Sequence, residues 1–337
     1  MKKLIAFAIF ALACASFAQN SSVRIDGSST VYPISLAVAE DFQVVNPDAR
    51  VTVAFSGTGG GFEKFCNNET DVSNASRIIE QDEIDACANN GIEFIETPVA
   101  IDALTVAVNN DNDFVECLSV DELRTMFEPN SSVSSWSDVR AEFPDEPISF
   151  YIPGTDSGTF DYFTEAVMGE SGASRTDVNP SEDDNVLVRG IEGDPNAVGF
   201  FGFAYYVENE DRIKAVSIDN GDGCVEPSVE NVENGTYAPL ARPLFIYTSV
   251  QAADNKPMVS DFATYYFSED ARPLIEDTGY VLLSDEIYTA VLERFESRTT
   301  GSAFSDFEPG DDVLATVREA EGAGESGEGS DGESEGD

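Results

Sequence analysis

The sequence predicts an α/β chain folded as two lobes with a cleft between them, and three observations carry that prediction. Short apolar runs alternate with amphipathic helix patterns along the chain. The stretch from 19 to 318 is too long for one small core. Two apolar runs far apart, 104–108 and 244–248, are suited to crossing between lobes. The expected division is 19–107 with 249–318 for the first lobe and 108–248 for the second.

The ends are read apart from the lobes. Residues 1–18, MKKLIAFAIFALACASFA, place Lys2 and Lys3 before an apolar run and close on Ser16, Phe17 and Ala18, the pattern of a cleaved export signal. Ala11 stands three before Cys14, where a lipobox has leucine, so cleavage after Ala18 is expected rather than lipid anchoring at Cys14. The expected location is periplasmic or secreted. Residues 319–337 carry eight acids and no apolar side chain larger than alanine, too little apolar surface to order, and are expected to form a disordered acidic tail.

The whole chain has 18 Lys and Arg against 64 Asp and Glu, a formal charge of −46. Without the tail's eight acids and the leader's two lysines the body still carries −40. Such a surface argues against nucleic acid or an anionic membrane as partner. There is no histidine. This removes Ser–His–Asp and Cys–His chemistry, argues against a zinc site, and leaves no spaced carboxylate cluster obviously suited to a metal. No cofactor, metal or catalytic residue is expected.

Three segments place small hydroxyl residues and glycine between an extended run and a helix pattern. DGSSTVYP (26–33) follows the apolar 23–25 and precedes Ile34, Val38 and Phe42, one helical turn apart, with Pro33 suited to a first turn. FSGTGGGF (55–62) follows the alternation VTVAF and leaves four glycines' backbone bare. PGTDSGT (153–159) follows ISFYI and leads into Phe160, Phe163 and Val167 at helical spacing. A helix start exposes unpaired N–H groups and partial positive charge, so each turn is suited to an anion. Taken singly, each reads at least as well as an ordinary N-cap. Repetition points to a tetrahedral oxyanion. MVSDFATYYF (258–267) puts Val259, Phe262 and Tyr266 on one face and reads as core packing.

The motifs GSSTVYPI, SGTGGGFEKF, TDVSNASR, GTDSGTFDYF and NAVGFFGFAYY, in that order and spread from residue 23 to 283, resemble the periplasmic phosphate-binding proteins, the PstS-type receptors of phosphate ABC transporters. The resemblance implies a type II periplasmic binding protein fold, two α/β lobes joined by crossing strands with dehydrated phosphate in the cleft. It implies inorganic phosphate and an inner-membrane ABC permease as partners of a monomer that is not an enzyme. Carried over by position, the ligand groups are Ser29, Thr30 and Val31; Thr58 and Gly59; and Ser157, Gly158 and Thr159. Some members have aspartate where this chain has Arg77 and arginine where it has Pro153, so the chain is similar to the branch with an ASR motif, which moves the cation between lobes and makes Arg77 a ligand. Arg77 also reads as an ion pair with Glu80 or Asp82. Loss of the aspartate leaves the acceptor for a phosphate proton open, with Asp156 the nearest candidate or a helix cap. Lys64 and Arg189 are other cations at unmatched positions. The alternatives are a receptor for sulfate, molybdate or tungstate, or a secreted phosphatase.

With Cys14 removed in the leader, Cys66, Cys87, Cys117 and Cys224 remain, an even set for an oxidising compartment. The two-lobe reading pairs Cys66 with Cys87 and Cys117 with Cys224, since cross-lobe bonds would oppose the closure expected of such receptors. Removing residues 319–337 is expected to leave ligand affinity and melting temperature nearly unchanged in calorimetry. A tenfold loss of affinity, about 1.4 kcal/mol, would mean that the tail reaches the cleft.

Overall fold

The computed structural model describes residues 21–155, 157–181, 183–307, 311 and 313–325, with side chains to 319 in the last segment. The expected export signal 1–18, Asp156 and the acidic segment beyond 325 lie outside the described residues. No described helix is long and apolar enough to cross a membrane.

In chain order the strands are β1 (Ser22–Gly27), β2 (Arg50–Val53), β3 (Val72–Ala75), β4 (Phe94–Asn109), β5 (Cys117–Ser119), β6 (Ser149–Pro153), β7 (Asn179–Ser181), β8 (Ala197–Gly202), β9 (Ile213–Ala215), β10 (Ser217–Asp219), β11 (Cys224–Val225) and β12 (Ala241–Ser249). The main path of pairing is β2-β1-β3-β12-β4-β8-β6-β7, with β9 on β4. β1 lies parallel to β2 and β3, as βα crossovers require, while β12 runs antiparallel to β3 and β4. Beyond it, β4 turns to β8 and β9, and β6 lies parallel to β8 and β7. The short strands β11, β10 and β5 form a second sheet.

β4 is buried along all of its length, which its apolar run FIETPVAIDALTVAVN permits with few polar groups to satisfy. Its residues 94–103 pair with β12 and its residues 104–108 with β8, so it is the strand that joins the lobes. The change of partner thus falls between Ala103 and Leu104, at the start of the run 104–108. All of β12 pairs with β4, and its residues 245–248 also with β3. Apolar strands read alike on both sides of a crossing; the partner ladder decides.

Helix α1 (Tyr32–Val45) buries Ile34, Val38 and Phe42, and Phe42 meets Phe262 at 5.4 Å. That partner face is the helix Pro257–Tyr266, where Val259, Phe262 and Tyr266 are buried. Helix α2 (Thr58–Cys66) follows the glycine turn, and α3 (Gln81–Asn89) is tied to it by the Cys66–Cys87 disulfide. The second disulfide, Cys117–Cys224, links the ends of the small sheet. Both bonds are the expected pairs. Helix α4 (Gly158–Met168) buries Phe160, Phe163 and Val167. The helix Val313–Glu325 continues past Glu319, where the acidic segment begins, with Val313 and Val317 in the core.

The second lobe's core centres on Phe163, stacked on Phe200 at 3.7 Å and met edge-on by Phe127 at 5.1 Å. Phe163→Ala should cost about 3–5 kcal/mol, read as a lower urea midpoint with an unchanged slope. A loss below about 1 kcal/mol would mean that the ring does not organise this core.

Candidate functional site

β1 ends on Gly27, whose φ of 139° and close approach to Asn74 leave no room for a side chain: a Cβ there would stand 2.1 Å from the Asn74 carbonyl oxygen. Ser28 then donates its N–H to that oxygen at 2.9 Å. Its hydroxyl accepts from the amides of Thr30 at 3.1 Å and Val31 at 3.4 Å, lining them up at the start of α1. Thr30 is buried and its carbonyl accepts from the Tyr280 hydroxyl at 2.8 Å. Val31 is wholly in the core, so its backbone N–H is its polar group here, while Ser29 is exposed.

The glycines of the second turn have separate reasons. Gly57 has φ 80° at the start of α2. A Cβ at Gly61 would lie 2.4 Å from Gly27 Cα, so the first two turns pack backbone to backbone. Gly59 faces Arg77: a Cβ there would be 3.7 Å from Arg77 Nη2 and 3.9 Å from Glu83 Oε1. Thr58 Oγ1 lies 3.2 Å from both the amide and the hydroxyl of Ser76, joining this turn to the end of β3.

Asp26 braces the two turns from behind. Its carboxylate accepts from Gly27 N at 2.8 Å, Ser56 Oγ at 2.8 Å and Lys64 Nζ at 2.5 Å. Burial pushes this carboxyl up, and the hydrogen bonds from Lys64, Ser56 and Gly27 outweigh it and leave it below the usual value. Lys64 is thereby committed to the brace.

Arg77 pairs chiefly with Glu83: Nη1 donates to Oε2 at 2.9 Å and Nη2 to Oε1 at 2.8 Å, while Nε stands 3.3 Å from Glu80. The pairing expected with Glu80 is present, and Glu83 is the stronger partner. These Glu83 hydrogen bonds hold the guanidinium above its ordinary value. Tyr247 positions the backbone just beyond, accepting from Ile79 N at 3.0 Å and donating to the buried Glu96 at 2.6 Å.

The third turn comes from the other lobe and reaches the first: a Cβ at Gly158 would be 3.0 Å from Thr30 Oγ1. Ser157 and Thr159 flank this contact, both half-buried. Tyr162, one turn into α4, donates to the Pro239 carbonyl at 2.8 Å and lies under the Arg242 guanidinium at 3.8 Å. Arg242 pairs with Asp102 at 3.4 Å and Glu165 at 3.2 Å, tying the crossing strands to α4. Ser76, Arg77, Tyr162 and Arg242 line a cavity of about 290 Å³; Thr159, Asp102 and Tyr280 line another of about 560 Å³ with an acidic rim. Arg189 is exposed on the helix Asp184–Gly193.

The N-termini of α1, α2 and α4 share a further property. Val31, Gly57 and Ser157 make no side-chain cap, whereas Ser119, Asp183, Ser228, Ser249 and Ser284 each cap their own helices. The first of them is served by Ser28 instead, whose hydroxyl accepts from the Thr30 and Val31 amides, so only the starts of α2 and α4 are without a hydroxyl cap among these turns.

A family model described as a PBP superfamily domain matches residues 15–270. A PstS phosphate-binding protein of Staphylococcus saprophyticus is 38% identical over 80% of this chain and 83% of its own. The chain belongs to the PstS-type phosphate-binding proteins. The chain is also 50% identical to Protein SphX of Synechococcus elongatus, over 86% of this chain and 85% of that one. Among solved structures, "a possible phosphate binding protein" from Planctomyces limnophilus superposes with a TM-score of 0.78 at 44% identity, covering 82% of this chain and 98% of its own. PstS from Borrelia burgdorferi shares the fold, with a TM-score of 0.62 at 20% identity over 78% of this chain and 99% of its own.

Asp26→Asn should lower stability at neutral pH by about 1–3 kcal/mol, as expected for losing hydrogen bonds to a charged, buried acceptor. Because the folded carboxyl sits below its usual 3.8, its contribution is present above that value and is lost as pH falls through the folded one. The gap between the two proteins in thermal unfolding should therefore close on acidification. A gap that persists unchanged at low pH would contradict the brace.

Proposed function

We propose that this chain captures inorganic phosphate outside the cytoplasmic membrane and delivers it to an ABC-type permease, performing no chemistry on it. The observation that carries this reading is the approach of three hydroxyl- and glycine-bearing turns from two lobes, Gly158 to Thr30 and Gly61 to Gly27. The Thr30–Val31 turn, whose amides would pass from the Ser28 hydroxyl to the anion, the hydroxyl of Thr58 beside Gly59, the Arg77 guanidinium and the Ser157–Gly158–Thr159 turn then hold the oxyanion, with Ser29 at its edge. Helix N-termini supply partial positive charge and N–H groups, and arginine supplies a full one. The kinship with phosphate-binding proteins supports phosphate over other oxyanions, and the export signal read in 1–18 supports a periplasmic or secreted receptor, which we read as a monomer. With no histidine in the chain, an acyl- or phosphoryl-transfer site of Ser–His type has no base.

Titration calorimetry with inorganic phosphate at fixed salt tests this. Arg77→Ala should weaken binding by about 2–5 kcal/mol, as for removing one partner of a buried charge pair. Arg77→Lys should recover part of that, because an ammonium lacks the paired fork. Thr159→Ala should cost about 0.5–1.5 kcal/mol, one hydroxyl hydrogen bond. Sulfate in excess should not displace phosphate. Binding within threefold of the unmodified protein by folded Arg77→Ala, or displacement by sulfate, would overturn the site or its ligand.

A further inference from the structure

Arg77 has its donors nearly all committed before any anion arrives. Nη1 donates to the Ile78 carbonyl at 3.0 Å and to Glu83 Oε2 at 2.9 Å, Nη2 gives one hydrogen to Glu83 Oε1 at 2.8 Å, and Nε faces Glu80 at 3.3 Å. A guanidinium has five N–H groups. Two make no hydrogen bond, the one on Nε beside Glu80 and one on Nη2, the nitrogen that would stand 3.7 Å from a Cβ at Gly59. The Phe62 ring lies 5.7 Å below the guanidinium carbon.

Glu83 is itself held from two sides. Its Oε2 accepts from Glu80 N at 2.9 Å as the third helical residue of a capping box that opens α3. The Cys66–Cys87 disulfide fixes α3 against α2, and Asn90 Nδ2 donates to the Cys66 carbonyl at 2.9 Å. The helix that presents Thr58 and Gly59 is thus locked to the helix that presents Glu83. Its side chain is 15% exposed, against 59% for Glu80.

We propose that Glu83 is a positioning residue for anion capture: the capping box and the disulfide fix its carboxylate, and it clamps Arg77 with Nη2 beside the Gly59 turn. An arginine held in this way has lost its rotamer freedom before binding, so the anion meets a donor already in place. The cost is that Glu83 shares the charge and opposes a second anion close by. Pre-organisation outweighs this opposition because Glu83 binds through two parallel bonds whose geometry fixes the fork. The inference rests on the reading of Arg77 as a ligand.

A double-mutant cycle read by calorimetry with inorganic phosphate tests it. Glu83→Ala should weaken phosphate binding about tenfold while Glu83→Asp recovers part of the loss, and in an Arg77→Ala background Glu83→Ala should change affinity less than about twofold. Glu83→Gln, which keeps an acceptor for Glu80 N, stands in if the alanine variant does not fold. It should also weaken binding. An ion pair serving stability alone would lower the melting temperature and leave affinity within twofold, and that result overturns the proposal. So does tighter binding, which would make Glu83 only an opposing charge. If the unmodified protein fails to bind phosphate, the function proposed above falls, and this inference with it; neutral Glu83 variants of a protein that binds remove this inference alone.

Discussion

The site depends on the antiparallel pairing of β4 with β12. Because β4 leaves that ladder at Ala103 and continues into pairing with β8, the two halves of the main path share one strand. The first two turns stand at the ends of β1 and before α2 on one side, and the third stands after β6 on the other. Without the shared strand the contact between Gly158 and Thr30 would need a flexible linker to bring it about. With it, three helix N-termini meet at a junction whose geometry is set by backbone hydrogen bonds.

Electrostatics makes that convergence necessary. A body with a formal charge near −40 repels an anion, although salt confines the repulsion to a Debye length of roughly 8–10 Å. The cations near the cleft offer little surplus: Lys64 serves Asp26, Arg242 serves Asp102 and Glu165, and Arg77 serves Glu83. Attraction must then come from hydrogen-bond donors at contact distance, where partial charges and desolvation count for most. Burial raises the Asp102 carboxyl, against the pull of Arg242, so part of the cleft's acidity is muted.

Much of this was legible in the residues. The hydroxyl and glycine turns announced themselves, and the helix periods at Ile34, Val38 and Phe42 and at Phe160, Phe163 and Val167 fell on buried faces. The disulfide partners followed from the lobes. Other features left no local signal. Gly61 reads as ligand-facing but is needed for contact with Gly27, a relation between distant strands. Arg242 sits in an apolar strand with no motif around it, and its importance lies in Tyr162, Asp102 and Glu165, far away in sequence. Glu83 was overlooked in favour of Glu80 and Asp82 because spacing ranks neighbours by number, whereas the capping box turns the third helical residue back toward the loop. Where β4 changes partner, at Ala103, leaves no local signal for the same reason: pairing is a property of partners.

The central claim is that the meeting turns hold phosphate and reject other oxyanions. The most direct measurement is ion chromatography of the anion released on denaturing protein purified from medium containing both phosphate and sulfate. The account predicts inorganic phosphate at close to one per chain and no sulfate. Release of sulfate, or of no anion from protein saturated with phosphate, would contradict it.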